Sequence, residues 1–531
     1  GGGGATFELE NAINVNGTLS LTSGMLDTKA TENNAINVGG NWLNDGGTFD
    51  PRQATVVFDA TAGSPTIISN NQAFYNIEFD DTGNNITFTL EDALDINGTL
   101  RITGGNLDTK SGENNSIHVA GNWLNQDLFT ARNGIVTLDG TMGSPTITSG
   151  GQAFYFLDID DSDFNVDFLL LDPLDVNGTL MITSGTLDVN AAGNYMINVG
   201  GAWSSQDTFL ARTGTVSFDA TSGTPAIYSY GQSFYNIDFD DGGGTATFLL
   251  EDALDVNGTL RINNGTLDVK LGENNDIAVF GNWINYDTFL RRAGDVTLDG
   301  DDQDIRGTTT FYDLTKLETT DDSTDVTVTF DVTGSLIIDN VWTFSGLDAD
   351  DRIVLLPSVP VTQWDIDPQG VRAISYLDPT YSRNVNVTTI QCTNGCNDGG
   401  NNINWNFTAG VITVSGSVYI DEGMTSIGAG TAVRLDVNGV ADNTDTTDGS
   451  GSYSITSSAT VGNGAIVTLY LDTGGGNAGV TVLVSNGSNV SDADIYRDYL
   501  LVRSDNGNFV SNLNMDTANN SGDTYERRCQ E

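Results

Sequence analysis

Carboxylates recur behind a Phe-Tyr pair at one fixed spacing. Phe74-Tyr75 is followed by Glu78, Asp80 and Asp81, Phe154-Tyr155 by Asp158, Asp160 and Asp161 with Asp163 close behind, and Phe234-Tyr235 by Asp238, Asp240 and Asp241. Clustered carboxylates on a turn suit Ca2+, which takes about six to eight oxygen ligands. The spacing matches neither an EF-hand loop nor the Gly-Gly-x-Gly-x-Asp nonapeptide. A solvated face is the competing reading, because strand alternation turns Ile77 and Phe79 inward and Glu78 and Asp80 outward. Calcium is the one cofactor the sequence offers, with these acids as its candidate ligands.

Other residue types are weighed the same way. A glycosidase or lyase needs two carboxylates at a fixed separation in a cleft. Nearly every acid here recurs in register down the chain, whereas a catalytic constellation is unique, so no enzyme is expected. The single histidine, His118, aligns with Asn37, Asn198 and Ala278 and has no nucleophile or acid in a triad pattern. Arg52, Arg132, Arg212 and Arg292 either hold an anionic polymer or pair with nearby aspartates, and an acidic chain favours pairing. Asn16, Asn97, Asn177 and Asn257 each open Asn-Gly-Thr, an N-glycosylation sequon and also a tight-turn dipeptide; the turn reading is preferred. Cys392 and Cys396 fit a small disulfide loop outside the cytoplasm better than a zinc site, since no histidine stands near, and Cys529 is left odd.

What positions these residues is a repeat. Asn-Gly-Thr-Leu begins at 16, 97, 177 and 257, with a worn copy at Thr333, and Trp42, Trp123, Trp203 and Trp283 keep the same step. Each copy of about 80 residues holds apolar runs of strand length separated by Asn, Asp and Gly, and copies join without a linker. Stacked coils of a parallel β-helix fit better than separate sandwiches, at about three coils and about 14 Å per copy with the rise per coil near 4.8 Å. The repeated Trp and Phe-Tyr then read as a stacked core in preference to a sugar-binding face.

Composition bounds the partners. The chain of 531 residues carries 71 acidic against 20 basic side chains, a formal net charge of −51. Nucleic acid is excluded by like charge, and no apolar run is long enough to span a membrane. Asp outnumbers Glu 59 to 12, which favours turns over helices.

The segments Ile36 to Asn44, Gly-Thr-Leu-Asp-Val, and Gly231 to Phe239 resemble the β-strand repeats of large bacterial surface and adhesin-like proteins over roughly residues 5–407. That resemblance implies a right-handed parallel β-helix at the cell surface. From Val411 the order Val-Ser-Gly-Ser-Val-Tyr, Thr-Ala-Val-Arg-Leu and Thr-Thr-Asp-Gly-Ser-Gly-Ser-Tyr is similar to the carboxypeptidase-regulatory-like, transthyretin-like domain, a spacer or adhesion module.

The expected organisation is all-β: solenoid repeats over 1–330, a degenerate closing repeat over 331–407, and an Ig-like or transthyretin-like β-sandwich over 408–531. The chain opens in mid-copy, because Gly1 to Glu10 matches Gly242 to Glu251. An uncapped first coil and the C-terminal domain are thus the expected contacts of a head-to-tail homopolymer. The expected role is a non-enzymatic extracellular structural subunit of a filament, sheath, layer or adhesin stalk; the alternative is a carbohydrate-binding or carbohydrate-cleaving β-helix.

Overall fold

The computed structural model describes residues 4–81, 83, 85–161, 166–422, 425–472, 478–505 and 509–518. Two compact units are formed, Gly1–Val279 with Ile284–Arg292, and Phe280–Trp283 with Ala293–Glu531.

In the first unit, apolar residues at every second position make strands of three to five residues, each too short to stand alone. In Leu94–Ile96, Leu94 and Ile96 are buried and Asp95 is exposed. The strands pair in parallel from coil to coil, at separations from 19 residues (Thr87 with Asn106) to 25 (Trp42 with Ile67). The result is a three-faced parallel β-solenoid, as the alternation implies.

Sheet membership shows how the copies stack. The opening strands of successive copies, Ile13–Val15, Leu94–Ile96, Leu174–Val176 and Leu254–Val256, each head a different sheet. Trp42–Asn44 lies in the six-stranded sheet, Trp123–Asn125 in the sheet headed by Ile13–Val15, and Trp203–Ser205 in the one headed by Leu94–Ile96. The second copy supplies ten strands, Leu94–Ile96 through Asp167–Leu170, plus a single bridging residue, Phe154, which pairs with Val176. Eleven positions on a three-faced coil make three coils and two-thirds of a fourth. The expectation of about three coils per copy is therefore refined: each copy is turned by one face relative to the last, and a face regains the same residues only after three copies.

Aromatic side chains fill the interior. Trp42 packs on Phe74, Trp123 on Phe154 and Trp203 on Phe234, with ring centroids 5.0, 5.0 and 5.2 Å apart. Phe58 stacks on Phe79, and Phe218 on Phe239. All of these rings are buried, which places the periodic Trp and Phe in the core, whereas Tyr75, Tyr155 and Tyr235 are half-buried.

The second unit continues with longer parallel strands, among them Thr309–Leu317 and Ser335–Ser345, which pair along their length. From Thr413 the pattern changes. Antiparallel pairing joins Val440–Thr446, Ala432–Val437, Asn463–Leu471 and Val480–Asn486, and Leu500–Ser504 adds in parallel. A second sheet of Ser452–Thr456, Thr413–Tyr419 and Ile495–Tyr496 shares a core with it through Val414, Val418, Leu435, Tyr453 and Leu469. The helix Asn512–Ala518 packs on the other face of the larger sheet through Ala518.

Truncating an interior ring tests this packing. Trp203→Ala leaves a cavity among Phe209, Phe218 and Phe234 and is expected to lower stability by about 3–5 kcal/mol. Urea unfolding checks it, with an exposed threonine-to-alanine change as the near-neutral control.

Candidate functional site

The acid triplets divide into two roles. Asp81, Asp161 and Asp241 are buried, at 1, 0 and 2% exposure, and accept backbone N–H groups from residues that follow them. Asp81 accepts the backbone N–H of Gly83 at 2.7 Å and of Ile86 at 2.6 Å. Asp161 accepts from Val166 N–H at 2.6 Å, and Asp241 from those of Gly243, Gly244 and Ala246 at 2.9, 3.0 and 3.1 Å. Alternation along the strand places the others at the surface, where they meet donors of the next coil. Thr103 Oγ1 donates to Glu78 at 3.2 Å, Thr183 Oγ1 to Asp158 at 2.7 Å and Ser184 Oγ to Asp160 at 2.9 Å. Asn263 and Asn264 donate to Asp240, and Arg261 stands 3.9 Å from Asp238. Burial raises the carboxyls of Asp158 and Asp238. Asp80 directly follows the strand Asn76–Phe79 and donates its N–H to Phe58 O. Successive triplets lie on different sheets, so they do not line up along one face. Asp163 and Cys529 lie outside the described residues.

The basic side chains staple one coil to another. Arg52 grips Asp27 through Nε at 3.0 Å and a terminal nitrogen at 2.8 Å, and Arg132–Asp108, Arg212–Asp188 and Arg292–Asp268 repeat the two-pronged contact. All four arginines sit at positive φ, between 49 and 53°. Each guanidinium pulls its partner carboxyl below the usual range for Asp27, Asp108 and Asp188. Lys29 bridges Glu10 and Glu32, Lys110 bridges Glu91 and Glu113, and Lys270 bridges Glu251 and Glu273. Asn190 replaces the lysine in the third copy and donates to Leu170 O instead. His118 faces Asp139 at 3.6 Å, which raises its pKa.

The Asn-Gly-Thr segments form corners, not hairpin turns. Asn16, Asn97, Asn177 and Asn257 are exposed there, and neither they nor the following glycines have positive φ. Glycine is needed for another reason: a Cβ at Gly98, Gly178 or Gly258 would lie 2.6, 2.6 or 2.5 Å from the carbonyl of Tyr75, Tyr155 or Tyr235 on the preceding coil. Cys392 and Cys396 are joined as a disulfide.

Two features of the second unit escaped the sequence reading. Lys316 occupies the inward position that Phe79, Ile159 and Phe239 hold in the repeats, and it is buried. Its three ammonium hydrogens meet Gly300 O at 2.5 Å, Asp301 O at 3.0 Å and Gln303 Oε1 at 2.9 Å, while burial pushes its pKa down to about 8. The signal was present as a lysine in an alternating apolar register. The other is a cleft of about 360 Å³ lined by Asn340, Gln369, Arg372, Gln391, Asn486 and Ser488. Arg372 donates to the carbonyls of Pro368, Thr388 and Thr389, and its Nε has no partner among the described residues.

Two pH experiments separate these cations. Arg132→Gln is expected to lower stability at pH 7. Asp108 has a depressed folded pKa, so its contribution is present above the unfolded value and is lost as pH falls through the folded one; the deficit should shrink toward pH 3 in urea unfolding. Lys316 works in the alkaline range. Between its folded value of about 8 and the unfolded value near 10.5 the unfolded chain binds more protons, so this residue adds stability as pH rises. The stability difference between wild type and Lys316→Met is expected to shift toward wild type over that window, and a pH-independent difference would refute the assignment. No protein-family model matches the chain, and neither does any curated protein or solved structure.

Proposed function

We propose that the chain is a non-enzymatic structural protein of the cell exterior, a subunit of a surface filament, sheath, layer or adhesin stalk that assembles with further copies of itself. One observation carries this reading. The charged side chains able to do chemistry recur copy after copy and are tied to a neighbouring coil, Arg to Asp in all four copies and Lys to Glu in three, which suits stiffness over turnover. The disulfide supports an oxidising compartment, and the charge of −51 disfavours nucleic acid as a partner. The adhesin-like character of the solenoid and the regulatory-like character of the C-terminal sandwich belong to the same proposal.

The amide-lined cleft favours a second reading, a neutral carbohydrate ligand held by Asn340, Gln369, Gln391 and Asn486. Negative-stain imaging with a polysaccharide panel separates the two. Uniform fibres with an axial repeat are expected, and removal of residues 408–531 is expected to shorten or abolish them. Isolated particles that bind or cleave a polysaccharide would overturn the structural reading.

A further inference from the structure

Between the strands Ser335–Ser345 and Ile353–Pro357 the chain turns through Gly-Leu-Asp-Ala-Asp-Asp-Arg, residues 346–352. The turn brings oxygens of Asp348, Asp350 and Asp351 within 4.8 Å of one another. Asp350 is exposed, Asp348 is half-buried, and Asp351 is 0% exposed.

One observation concerns the buried member of this cluster. Asp351 is buried but only half satisfied: Oδ1 accepts Thr324 N–H at 2.9 Å, whereas the buried Oδ2 has no hydrogen-bond partner among the described residues. Asp81 and Asp241, equally buried, have both oxygens taken by backbone N–H groups. A buried carboxylate oxygen without a donor bears its full desolvation cost. Arg352, the cation on this loop, directs its guanidinium at the carbonyls of Ala349 and Gly395.

The missing component is a positive charge that accepts oxygen ligands from several sides. Calcium suits such a set, because it takes about six to eight oxygens in a flexible geometry and accepts carboxylates and water together, whereas magnesium demands a near-ideal octahedron at about 2.0–2.1 Å. We propose that Asp348, Asp350 and Asp351 bind one calcium ion, with Asp351 Oδ2 as the buried ligand and solvent completing the shell. The ion ties two loops together, because Ser323 Oγ donates to Asp350 at 3.1 Å and Thr324 N–H to Asp351. This inference is independent of the structural role proposed above.

Calorimetric titration of the chelator-treated full chain with CaCl2 tests it. Wild type is expected to bind one more equivalent than the double variant Asp348→Asn/Asp350→Asn, whose changes lie at the surface and leave the circular dichroism unchanged. Asp351→Asn is expected to lose the same equivalent or to weaken it at least tenfold; should that variant fail to fold, the double variant decides alone. Equal stoichiometry and affinity in wild type and double variant, or no binding at millimolar calcium, would overturn the site. Preference for MgCl2 over CaCl2 in the same titration would overturn the choice of ion.

Discussion

A strand of three residues cannot satisfy its own backbone, and in the first unit nearly everything else follows from that constraint. Each such strand draws its hydrogen bonds from the coils on either side, so the coil is stable only as a member of a stack. The inward side chains must then be large enough to fill a three-faced interior, which is the task of the Trp and Phe clusters. The corners must be small enough for one coil to close on another, which is the task of the glycines at 98, 178 and 258. Asp81, Asp161 and Asp241 serve the same constraint by holding a turn's N–H groups where no strand is available to do so.

The excess of acid is accommodated within this frame. With so few cations in the chain, the arrangement matters more than the number. In the repeats, arginine and lysine sit where one basic group reaches carboxylates on a neighbouring coil, and the remaining acids accept from Thr, Ser and Asn or stand in solvent. Partial exposure keeps each pair modest in strength, so the staples act by repetition.

Much of this was legible in the residues. Alternation such as Leu94-Asp95-Ile96 announces a half-buried strand, and a fixed step without linkers announces a stack. The Arg–Asp pairing and the buried aromatics followed from charge balance and periodicity. What remained hidden depends on where the chain turns. Asp81 continues the inward alternation of Ile77 and Phe79 past the end of the strand, where a carboxylate reads as a solvated turn residue unless the N–H groups that satisfy it are known. Coil length varies from 19 to 25 residues, which no period of 80 reveals, and the number of coils per copy was therefore out of reach. Asp348, Asp350 and Asp351 lie past the clean repeats, in a loop whose juxtaposition with Ser323 and Thr324 is a product of stacking.

The mismatch of eleven strand positions to three faces makes copy number an angular variable as well as a linear one. Inserting one 80-residue copy lengthens such a solenoid by about 18 Å at a rise of about 4.8 Å per coil and also re-aims whatever continues from it by a third of a revolution. Duplication of a single unit thereby distributes any given patch around the circumference like the steps of a spiral stair. Each face of a long stack therefore carries a given patch once in every three copies, at a height staggered from that on the next face.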